Sequence, residues 1–194
     1  VYKRQTYPTF KVTRKPNKSG LKTALILPDP QFGFSRDLDT GRLDTFHDMR
    51  ALDVAVQIAA DLRPHQVVHL GDILDLPDWS DKFVRSPSTD NTTQLSVVAA
   101  SWWLGRVKSV AQRAVSVLLE GNHDKRMELA LQKHLKSACN LRPADELALP
   151  PSLSVPRLLA LHKLGIQYRG AYPNGEYWIC DGFLCKHGDI VRGN

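Results

Sequence analysis

No uninterrupted apolar stretch in these 194 residues approaches the roughly 18 that a membrane-spanning helix needs, and the N-terminus lacks the apolar core of a signal peptide. These absences predict a soluble, cytoplasmic protein with no membrane partner. Cysteine is scarce: Cys139, Cys180 and Cys185 have neither the density of a disulfide framework nor the close pairing of a zinc knuckle. All three are expected as buried free thiols rather than as a Cys180 to Cys185 disulfide. Acidic residues are missing altogether from the first 22 positions. Glycine and proline stand at ordinary frequency, with 42% hydrophobic and 24% charged residues, which is the composition of a globular protein and not of a disordered one.

A chain of this length buries roughly 70% of the surface its unfolded form exposes, enough for one domain with a substantial core. The charge is placed unevenly. Lys3, Arg4, Lys11, Arg14, Lys15, Lys18 and Lys22 give residues 1–22 a charge of +7 out of a total of +6, which leaves −1 for residues 23–194. The chain therefore divides into a basic N-terminal arm, 1–22, and a domain, 23–194. Bases interleaved with Tyr2, Tyr7 and Phe10 suit phosphates and stacked nucleobases, so nucleic acid is the partner expected of the arm. A solvated terminus is the alternative.

Along the domain, apolar β-branched runs alternate with helical patterns. Residues 23–27 read as a buried strand ended by Pro28, 66–70 as a second and 114–119 as a third. Leu52, Ala55, Ala59 and Leu62 recur at helical spacing between the first two, with Asp44 as the expected N-cap and Arg63-Pro64 as the stop. Residues 33–42 read as a loop, in which Asp37-Leu38-Asp39-Thr40-Gly41 is a turn and not a calcium site, since no later glutamate closes it. Leu95, Val98 and Trp102 mark a second helix and residues 125–136 a third. A proline-rich connection follows. Residues 166–169, 176–180 and 183–186 then read as short strands, the last two as an antiparallel hairpin around Asp181-Gly182.

Four polar motifs punctuate this pattern: Asp29-Pro30-Gln31, Gly71-Asp72-Ile73-Leu74-Asp75, Gly121-Asn122-His123-Asp124 and His187-Gly188-Asp189. The first three each follow a predicted strand. Parallel strands joined by crossover helices bring their carboxyl ends to one sheet edge, where open α/β folds bind ligands. Carboxylate and amide oxygens combined with imidazole suit a transition ion better than calcium. One carboxylate can bridge two such ions, and Asp72 is the natural bridge. His69 lies inside a strand and is read as a packed core residue. His47, His65, His134 and His162 have no motif around them and are read as structural or surface groups.

In this order the motifs resemble the signature of the calcineurin-like metallophosphoesterases, most closely that of phage and bacterial members. The resemblance runs from Asp29 to Asp189. It implies an α/β fold of the four-layer α/β/β/α sandwich type. It also implies two divalent metal ions, Mn2+ foremost with Fe, Zn, Ni or Mg as alternatives. Asp29, Gln31 and Asp72 would hold the first ion, and Asp72, Asn122 and His187 the second. His123 would act as general acid on a phosphate-ester substrate, with Asp124 orienting it and Asp75 lying behind the ligands.

Two departures stand out. Gln31 occupies a position where many members have histidine, and an amide oxygen is a weaker ligand. No Gly-His-x-His follows His187, so each ion would lack one imidazole, and the chain reads as a fragment, C-terminally incomplete. The expected function is metal-dependent hydrolysis of a phosphodiester in a nucleic acid or nucleotide. The alternatives are a phosphomonoesterase, or a silent module that binds nucleic acid or takes part in assembly.

Overall fold

The apolar runs become one parallel sheet. In this computed structural model, which describes residues 21–82 and 86–188, the elements in chain order are β1 (Ala24–Leu27), β2 (Phe34–Arg36), β3 (Leu43–Thr45), α1 (Met49–Leu62), β4 (Gln66–Leu70), α2 (Thr93–Val110) and β5 (Val115–Leu119). There follow α3 (Lys125–His134), α4 (Val155–Leu158), α5 (Leu161–Leu164), β6 (Gln167–Tyr168), β7 (Glu176–Cys180) and β8 (Phe183–Lys186). The readings made for residues 1–20 and for Asp189 lie outside the described residues. Among the described residues, no helix is long and apolar enough to cross a membrane.

The sheet order is β1-β4-β5-β6 with every pair parallel, and Ala24, Gln66 and Val115 share a rung. Alternation along β4 and β5 separates two cores. Val67 and Leu118 join Leu52, Val56, Ala59, Val97, Ala100, Leu104 and Val107 of α1 and α2. Val68, Val117 and Leu119 point to the other face, against Cys185, Tyr177 and Ile179 of the β7–β8 hairpin. Each fully buried side chain of this size contributes roughly 1.5 to 3 kcal/mol, so both faces hold the strand ends in place.

The layers of the described residues are therefore helices, parallel sheet and hairpin. Trp178, Phe183 and Leu184 of the hairpin remain exposed, so these residues form no fourth, helical layer over it. The described residues thus form the expected α/β arrangement, a four-stranded parallel sheet with helices.

Local expectations also change. Asp48, not Asp44, caps α1: its carboxylate accepts from Arg50 N at 2.8 Å and Ala51 N at 3.2 Å. Asp44 lies instead in β3, paired with Ser35 of β2, in a small hairpin within a region read as loop. α1 ends as expected at Arg63, in the left-handed region before Pro64. The face of α2 differs: Val98 and Trp102 are exposed, whereas Val97, Ala100, Trp103, Leu104 and Val107 are buried. Trp103 Nε1 donates to Leu52 O at 3.1 Å, and Arg106 pairs with Asp53 at 2.7 Å, locking α2 to α1. All three cysteines are free, but only Cys185 is buried; Cys139 is half-buried and Cys180 exposed.

Candidate metal centre

Asp29 and Gln31 follow β1, Asp72 follows β4 and Asn122 follows β5 at neighbouring positions along one edge. The first two segments zip together through their backbones. Asp29 N donates to Gly71 O at 3.3 Å, Gln31 N to Asp72 O at 2.9 Å, Phe32 N to Ile73 O at 2.8 Å and Asp75 N to Phe32 O at 3.0 Å. Asp29, Gln31 and Asp72 all have positive φ, at 49°, 43° and 48°. Residues with side chains hold that conformation at a cost of about 1 to 3 kcal/mol each, and such strain concentrates at functional sites.

Two glycines permit the crowding. A Cβ on Gly121 would stand 2.1 Å from both the backbone nitrogen and Oδ1 of Asp72. On Gly71, at φ +85°, it would stand 2.5 Å from His187 Nδ1 and 2.8 Å from the Gly121 backbone.

His187 enters from the end of β8. Its Nδ1 lies 2.6 Å from Leu70 O, and because a carbonyl only accepts, Nδ1 carries a proton. Its Nε2 lies 3.4 Å from Asp72 Oδ1 and 3.1 Å from Asn122 Oδ1. His187 Nδ1 is also 4.0 Å from Asp29 Oδ1. Atoms that carry lone pairs meet this closely when a positive charge, a proton or a metal cation, lies among them. Asp29, Asp72 and His187 each offer a ligand atom within 4.8 Å of the others.

This donor set fits a divalent cation: oxygen and imidazole ligands, with the imidazole tautomer fixed through its far nitrogen. His187 thus approaches both Asp29 and Asp72, whereas the sequence reading gave it to one ion only. Partial withdrawal from water raises the Asp29 carboxyl above its ordinary value, opposed by His187 and reinforced by Asp72.

His123 N donates to Asp72 Oδ1 at 2.8 Å, which fixes the carboxylate. The His123 ring is oriented by Asp75, whose Oδ1 lies 2.7 Å from Nδ1, leaving Nε2 turned toward Asp72 Oδ2 at 3.9 Å. Arg126 closes behind Asp75, with Nη1 2.6 Å from its carbonyl oxygen and 3.5 Å from Oδ1.

Asp124 does not orient His123. Its buried carboxylate accepts from Ile73 N at 3.2 Å, Leu74 N at 2.9 Å and Gly121 N at 3.0 Å, so it ties the two motif loops together. Burial pushes this carboxyl up to about 7, against the three amide donors that pull it down. Glu120, beside the site, was not singled out by its sequence context. It is buried, accepts from Tyr172 N at 2.9 Å and lies 3.9 Å from Lys125 Nζ; burial raises its carboxyl. Arg126, two residues beyond the Gly-Asn-His-Asp motif, carries no sequence signal of its role either.

Comparison with protein-family models, with curated proteins and with solved structures returns no match.

Proposed function

We propose that this chain is a metal-dependent phosphoesterase of the calcineurin-like class, acting on a phosphodiester with two divalent cations, Mn2+ foremost. The observation that carries this reading is the meeting of Asp29, Asp72 and His187 at one sheet edge, with Asn122 and His123 beside them. The order of motifs resembles that class, and a parallel sheet with helices on one face and a hairpin on the other supports an α/β fold of this kind. Bound cations would supply an activated water and positive charge for the phosphoryl oxygens.

The chain's own groups do the rest. Asp72 is fixed by the His123 amide and faces His187, so it would serve as the ligand shared by bound cations. Asn122 presents an amide at the same point and helps hold the phosphate. His123 is held through Nδ1 by Asp75, so Nε2 is the atom that delivers a proton to the departing oxygen. Arg126 keeps the Asp75 carboxylate in place.

The test is hydrolysis of bis(p-nitrophenyl) phosphate, with p-nitrophenyl phosphate as the monoester comparison. Activity should require Mn2+, be abolished by EDTA, favour the diester and fall by about 10² to 10⁴ in His123→Ala. Turnover in EDTA, or an unchanged rate in His123→Ala, overturns the reading.

A further inference from the structure

An exposed aromatic ring stands beside the His123–Asp75 pair, and the β2–β3 hairpin puts it there. Phe34 pairs with Thr45 at the open end of this hairpin, and Phe46 N donates to Gly33 O at 3.0 Å, which carries the pairing one residue further. The next residue anchors the segment. His47 is buried against Phe32 and Phe34, with ring centroids 4.6 and 5.2 Å away, and its Nδ1 lies 3.1 Å from Gly33 O. Asp75 N donates to Phe32 O, so the hairpin and the loop after β4 form one platform.

Phe46 lies across Gly33. A Cβ on Gly33 would stand 2.6 Å from Phe46 Cδ2 and 3.1 Å from Asp75 Cβ, so the ring and the Asp75 side chain flank the same bare stretch of backbone. Only glycine leaves room for both. While His47 is buried, Phe46 keeps 48% of its surface open. Asp75 Oδ1 lies 2.7 Å from His123 Nδ1 and accepts from Arg126 Nη1 at 3.5 Å. The order in space is thus Phe46, Asp75, His123 and Asp72, with the ring one side chain beyond the imidazole that faces the metal centre.

We propose that Phe46 determines specificity at this centre by stacking on the nucleobase of a nucleotide ester, an inference that rests on the phosphoesterase reading. His123 serves the departing oxygen in that reading, so the organic arm on that oxygen passes His123 and meets the groups beside it. In a nucleotide the planar base stands one sugar away from the ester oxygen, and Phe46 stands one side chain beyond His123. Phenylalanine carries no polar group to read base edges, so it offers stacking area to any base and selects nucleosides over simple sugar alcohols. The platform held by His47 presents the ring in place, which lowers the cost of ordering it on binding.

Calorimetric titration of the full chain in Mn2+ with AMP and with ribose 5-phosphate tests this, because the two ligands share phosphate and sugar and differ at the base. The parent should bind AMP at least about tenfold more tightly than ribose 5-phosphate. Phe46→Ala should bind AMP about tenfold more weakly than the parent, with ribose 5-phosphate within about twofold. Phe46→Leu, apolar but without an aromatic face, should lose the preference in the same way, and Phe46→Trp should keep it. Trp178→Ala removes a comparably exposed ring from β7 and should leave both affinities within about twofold. Equal, Mn2+-dependent affinity of the parent for the two ligands overturns this proposal and leaves the phosphoesterase reading standing. A preference for AMP that survives in Phe46→Ala or Phe46→Leu, or an equal loss in Trp178→Ala, does the same. Binding of neither ligand overturns that reading and this proposal with it.

Discussion

His123 and Asp75 meet at 2.7 Å between Nδ1 and Oδ1, across the loops that follow two adjacent strands. That contact fixes which imidazole nitrogen faces Asp72. Asp75→Asn keeps the size of the side chain but weakens its hold on the ring. It should lower kcat for the diester by roughly 10 to 100-fold while leaving KM within about twofold. Steady-state kinetics check this; an equal rise in KM with kcat unchanged would place Asp75 in substrate binding.

Asp124 has a different task. Three backbone amides end on its buried carboxylate, and Asp124→Ala leaves all three without an acceptor. Each buried donor stranded this way costs about 1 to 3 kcal/mol, so urea unfolding should show a loss of at least about 3 kcal/mol. Loss of activity at parental stability would contradict this role.

The two motif glycines set a steric limit. Gly121→Ala forces a Cβ to 2.1 Å from Asp72, where backbone as well as side chain must shift. Mn2+ binding should fall at least about tenfold, as for lost ligand support, while Gly182→Ala, in open space, leaves it unchanged. Calorimetric titration distinguishes the two.

His69 provides a pH signature of folding. It is buried against Trp103, its Nδ1 has no hydrogen-bond partner among the described residues, and burial pushes its pKa down to about 3. The unfolded chain takes up this proton near 6.5 while the folded protein refuses it until about 3. Stability from this group is thus complete above 6.5 and lost as pH falls. Asp124, with a raised pKa, contributes the opposite slope, so the comparison must be with a variant. Between pH 7.5 and 5, parent stability relative to His69→Leu should drop by about 2 kcal/mol in EDTA. A pH-independent difference would contradict the burial of a neutral His69.

Much of the sheet and of the polar cluster at its edge was legible because strand and motif alternate: each of the runs ending at Leu27, Leu70 and Leu119 is followed by a polar cluster. Other features were hidden for identifiable reasons. Asp44 and Asp48 both stand before the periodic stretch, and only the strand pairing of Asp44 decides between them. α2 is apolar on several faces, so periodicity could not say which one is buried. The exchange of roles between Asp75 and Asp124 depends on contacts about 50 residues apart in sequence, between β4 and β5 loops, which no local spacing encodes.

The central claim is that Asp72 and His187 are ligands of a divalent cation. Its most direct test is titration of Mn2+ into the full chain, followed by the loss of the free-ion electron paramagnetic resonance signal. The parent should bind saturably, and Asp72→Asn and His187→Ala should each weaken binding at least about tenfold, with Lys133→Ala unchanged. Absence of saturable binding by the parent, or parental affinity in both ligand variants, would contradict the account.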